Sequence, residues 1–132
     1  MTKDSHTLPD IPALERLVHK AVQALPAVFR DRLGDVVFRV QDFADSDMLR
    51  SVGLSNPWEL LGLYHGRPIG EHSIWETGDL PSVIALFRCP LLHEQQRRGV
   101  SVEEMVTHVI VHEVGHHFGL SDAEMHAIED DD

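Results

Sequence analysis

The chain has 132 residues, 42% hydrophobic and 25% charged, the make-up of one globular domain with its own core. A formal net charge of -11 argues against nucleic-acid phosphates and anionic membranes as partners. The lone cysteine, Cys89, rules out an internal disulfide; MTKDSHTLPD is no signal peptide and no apolar run nears the ~20 residues of a membrane helix, so the expectation is a cytoplasmic protein.

In chain order, residues 1–9 are polar and expected to be flexible. Asp10, Ile11 and Pro12 predict a helix start, and Leu14, Leu17, Val18, Ala21, Val22 and Leu25 recur at helical spacing. Pro26 interrupts that ladder, with a short continuation through Val28, Phe29 and Leu33 to Gly34; His19 reads as a surface residue. Val36 to Phe43 predicts a strand. The acidic stretch Asp42 to Asp47 breaks it and caps a short helix over Met48 to Val52. Leu60 to His65 predicts a second strand, followed by the turn residues Gly66, Pro68 and Gly70. Gly62 inside that strand predicts a bulge or a close backbone approach. Asp79, Pro81 and Ser82 mark another turn, and Val83 to Phe87 a third strand ended by Arg88, Cys89 and Pro90. Leu91 to Arg98 reads as a helical turn or loop.

Ser101 and Glu104 form a capping box before an apolar stripe of Val102, Met105, Val106, Val109, Ile110, Val114 and Phe118, with His112 and His116 on its flank. Gly119 ends this helix and Leu120 can pack back on it. Ser121 and Glu124 repeat the box for a terminal helix through Met125 and Ile128, with Asp122 in its first turn. The tail from Glu129 to Asp132 is acidic and expected to fray, giving a single domain over residues 1–132 with flexible ends at 1–9 and 129–132.

The chemistry concentrates in HEVGHHFGLSD, His112 to Asp122. On a helix, His112 and His116 lie one turn apart and can reach a single zinc ion. Asp122 supplies a third, oxygen ligand, and the fourth position stays open for water. Glu113 is placed to take that water's proton. Manganese, iron and cobalt accept the same donors. The plainer readings make Gly119 a C-cap and Asp122 an acid that favours the helix dipole. His117 reads as a core histidine, and His108, one turn before His112, as an outer partner of the ligands. Tyr64, His65 and His72 qualify as oxyanion donors only if the second strand borders the cleft.

HEVGHHFGLSD resembles the extended zinc signature of the metzincin clan, with Asp122 where most members have a third His. More of the chain is similar to the small bacterial zincin-like metallopeptidases. Their marks appear as Leu25-Pro26, as the GLYxGxP segment of Gly62, Leu63, Tyr64, Gly66 and Pro68, and as HExxHxxGxxD. The resemblance spans residues 11 to 128. It implies an α+β, minimal zincin-like fold: a small mixed sheet, a backing helix and a C-terminal active-site helix. It also implies a Zn2+ metallopeptidase acting on a peptide or protein substrate. Metzincins place a methionine turn well after the third ligand, whereas Met125 here is too close and reads as a packing residue. Their lower subdomain is also missing, so one cleft wall is absent. A one-walled cleft predicts slow cleavage, or a homodimer in which another molecule supplies the wall. Two rivals stand. RNA-maturation endonucleases of the zinc-hydrolase type share the ligand spacing but have a third His, no Glu at the position of Glu113 and a basic cleft. A non-catalytic, zinc-stabilised module would bind peptides by adding a strand beside Leu60 to His65.

Overall fold

The first helix, α1 (Ile11–Gln23), starts where its sequence places it, because Asp10 Oδ1 accepts the Ala13 N–H at 2.9 Å with proline in the first turn. The computed structural model describes residues 8–66 and 82–130. The readings at Pro68, Gly70, His72, Asp79 and Pro81 fall outside the described residues. Leu14, Val18 and Ala21 form the buried face of α1, and Pro26 opens the short α2 (Ala27–Arg30). After β1 (Val37–Gln41), α3 (Ser46–Ser51) begins earlier than expected, since Asp45 Oδ1 caps the Met48 N–H at 2.8 Å.

Strands β2 (Gly62–His65) and β3 (Val83–Phe87) complete a mixed sheet in the order β1-β3-β2, with β1 parallel and β2 antiparallel to β3. The central strand is buried on both faces. Ile84 and Leu86 join the main core under α1 and α5 (Val102–Phe118), while Ala85 and Phe87 join Leu49, Leu60 and Leu63 on the other side. This is the small mixed sheet with a backing helix that the α+β expectation requires.

One element departs from expectation. Residues Arg88–Arg98 form a full helix, α4, directly after β3 rather than a turn or loop. Pro90 falls in its first turn, where no intrahelical N–H is needed, and Leu91 and Leu92 are buried. Glu94 accepts from Arg97 at 2.8 Å and from Arg98 at 2.7 Å, and these guanidinium groups lower its carboxyl pKa to about 2. No described helix is long and apolar enough to cross a membrane.

Gly62 brings β2 and α5 together. A Cβ built there would lie 2.6 Å from Val109 Cγ1 and 3.4 Å from Glu113 Cγ. Valine is stiff about χ1 and Val109 is buried, so it cannot swing aside. Gly62→Ala is therefore expected to cost about 1–3 kcal/mol, the usual penalty of overpacking. Urea unfolding measures it; an unchanged midpoint would mean that β2 does not approach α5 this closely.

The two ends of the site share one joint. Ser101 and Glu104 close the predicted capping box on α5 through bonds of 3.0 Å each. Gly119, at φ +68°, ends α5, with Leu120 N–H donating to Gly115 O at 2.8 Å and Gly119 N–H to His116 O at 3.2 Å, a Schellman ending. Ser121 and Glu124 form the second box at 2.8 and 3.2 Å and start α6 (Asp122–Asp130). That helix runs past Ile128, so Glu129 is part of it. Gly115 explains how closely α6 docks: a Cβ there would fall 2.2 Å from the Sδ of Met125, which is buried.

Candidate metal centre

α5 carries the site on the flank of its apolar stripe. The stripe residues Met105, Val106, Val109, Ile110 and Val114 are buried, which fixes the rotation of the helix and directs residues 108, 112, 113 and 116 toward β2 and α6. A cleft of about 210 Å³ opens here, lined among others by Leu61 and Gly62 of the β2 side and by His108, His112 and Glu113 of α5.

Glu113 is the unusual group. The residue is only 8% exposed, and Oε1 has no hydrogen-bond partner. His116 Nδ1 lies 3.2 Å away, within ion-pair distance but outside hydrogen-bond geometry. Burial raises the Glu113 pKa; the nearby His116 and a hydrogen bond from the Tyr64 backbone pull the other way without cancelling it. A buried carboxyl lifted in this way is suited to carrying a proton.

His112 is half-buried, and its Nε2 is shielded from water with no hydrogen-bond partner. Burial, then the neighbouring His108, hold its pKa below the ordinary imidazole value, while the charges of Glu129 and Asp122 oppose them. A neutral imidazole with an unpartnered nitrogen is what a metal ligand has to be, so this residue fits a bound cation.

The predicted residues are distributed as follows. His112 and Glu113 line the cleft. His116 is exposed and turned toward Glu113. Asp122 is exposed in the first turn of α6, near enough for its charge to act on His112. Among the described residues, the donors gathered within 4.8 Å of one another are those of His108, His112 and Glu129. His108 Nδ1 lies 3.1 and 3.0 Å from the two oxygens of Glu129, and His112 Nε2 lies 3.6 Å from its Oε1. Glu129 was not a sequence candidate. Its signal was the i, i+4 spacing from Met125, which puts both on one face of α6.

His117 is the core histidine its position suggested: it is 5% exposed, with Nδ1 3.2 Å from the Tyr64 hydroxyl. That hydroxyl is also 3.1 Å from Ser82 Oγ, so Tyr64 is engaged in a structural network. His65 is exposed, and His72 lies outside the described residues.

A family model for zincin-like metallopeptidases matches residues 33–131. No curated protein matches the sequence. The matched span takes in the three described strands and both helices of the site, well over half of the sequence, and the chain belongs to the zincin-like metallopeptidase family.

Proposed function

We propose that the protein hydrolyses peptide bonds with a zinc ion held by His112, His116 and Asp122, and with Glu113 as general base. The observation that carries this reading is Glu113: a buried carboxyl with a raised pKa, set between two histidines of one helix in a cleft wall. When bound, zinc acidifies its water toward a pKa of ~7 and polarises the scissile carbonyl. Glu113 takes the proton of the attacking water at its carboxylate and returns it to the leaving amine. Its burial keeps competing solvent away from that proton. Taking up the ion requires His116 to turn from Glu113, which its exposure permits.

The substrate reading rests on β2, which lies at the sheet edge among the described residues. Leu61 O accepts from Phe87 N–H, so the ladder register turns the backbone groups of Gly62 and Tyr64 away from β3. Glu113 takes the Tyr64 N–H, and a peptide laid antiparallel along this edge would run beside the cleft.

The test is a zinc titration during thermal melting, paired with a peptide-cleavage profile. Zinc at a hundred times its Kd should add about 2.7 kcal/mol, roughly 10 °C for a domain this size, and turnover should accompany it. Stabilisation without cleavage of any peptide would replace the enzyme with a zinc-stabilised binding module. Cleavage that persists after chelation would remove the metal mechanism.

A further inference from the structure

We infer that the chain holds a second, alternative cation position, built by His108 and His112 of α5 and Glu129 of α6, which uses neither His116 nor Asp122. The geometry suits an ion closely. Ligands 2.0–2.2 Å from a tetrahedral zinc stand about 3.4 Å apart. The separations here are 3.0 Å from His108 Nδ1 to Glu129 Oε2 and 3.6 Å from His112 Nε2 to Glu129 Oε1. Two imidazoles and a carboxylate leave one position open, a donor set that takes zinc and also cobalt or nickel.

Without an ion the arrangement is left unfinished. His112 Nε2 is shielded from water and unpartnered, a state that costs free energy. The His108 and His112 rings stand 4.4 Å apart, and the ring of His126 is 6.2 Å from His112, so imidazoles cluster around His112. A cation would satisfy the orphaned nitrogen and hold the rings together. The position is also pre-formed. His108 and His112 are one turn apart on α5, and Met125 seated on Gly115 fixes the face of α6 that carries Glu129.

This position shares His112 with the hydrolytic set proposed above, and His112 Nε2 can serve one ion at a time. The two sets are therefore alternatives. An ion bound by His108, His112 and Glu129 leaves His116 without metal and Glu113 without its water. The protein would then have a resting register one helical turn from its working one.

The experiment compares two forms of the full chain. His116→Ala/Asp122→Ala keeps only the new set, and adding Glu129→Gln to it removes the carboxylate. Zinc affinity is read by competition with a chromophoric chelator. The double variant should hold one zinc per chain, and the triple variant should bind at least about tenfold more weakly, the least that losing even an outer partner costs. A double variant that binds no zinc, or equal affinity in the two forms, overturns the inference. Should the double variant fail to fold, His116→Gln, at an exposed position, replaces it. Adding zinc to that form should move the 15N signal of His108 Nδ1 by a ligation shift, and an unmoved signal overturns the inference. Peptide turnover enters neither readout, so the failure of this position and the failure of the hydrolytic reading are told apart.

Discussion

Glu113→Gln is expected to lower peptide turnover by roughly a hundredfold or more, with zinc content and melting temperature close to wild type. The substitution keeps the side chain's shape in a site that is 8% exposed, so packing against β2 survives. It keeps an oxygen to accept the Tyr64 N–H and removes only the basicity. The metal-free protein offers a second readout. Burial raises the folded pKa of Glu113 above its ordinary value of 4.5, so the protonated form favours the fold. That contribution is complete below the unfolded value and is lost as pH rises through the folded one. Above pH 4.5, melting of the variant should fall less with rising pH than melting of wild type. Zinc per chain after dialysis, thermal melts and peptide turnover together decide the matter: full activity would end the general-base role, and lost zinc would make Glu113 a ligand.

Asp122→Ala should act on the metal first. Losing an outer partner of a ligand costs 10–100-fold in metal affinity, and losing a ligand should exceed that. The structural cost should be small, because Asp122 is exposed and the Ser121–Glu124 box still caps α6; the dipole term is about 0.3–1 kcal/mol. The charge of Asp122 raises the pKa of His112, so its removal makes His112 easier to deprotonate. That change alone would favour metal binding. A fall in affinity therefore cannot be blamed on protonation of His112. Chelator competition measures it in a Glu129→Gln background, where His108 and His112 lack their carboxylate partner; zinc affinity there equal with and without Asp122 would sink its assignment as third ligand.

Elements with a strong local signal were legible in the sequence. β3 is an unbroken apolar run between turn residues, and α5 has a capping box at one end and Gly119 at the other. Gly62 could be read as a close approach because a glycine inside a strand has few other uses. α4 was hidden because its charged residues pair with one another on one side and leave a weak apolar period. Gly115 stands inside the zinc string, but its packing role against Met125 depends on the docking of α6, which local spacing does not encode. Glu129 was hidden because a run of acids at a chain end reads as solvated tail. Only the docking of α6 on α5 brings it to His108 and His112, and that docking is tertiary. The orientation of His116 toward Glu113 was equally beyond periodicity, which places residues on faces without choosing rotamers.

The short joint at Gly119 to Ser121 has a practical consequence for anyone who handles the protein. α6 returns to the cleft, so Glu129 lies beside His108 and His112. Whatever is inserted close behind α6 is tethered near these donors, and short flexible tethers give effective concentrations in the millimolar range. A polyhistidine purification handle placed there would bring its own imidazoles to the same cations and distort every metal count. Handles belong away from α6, or should be cleaved before any titration.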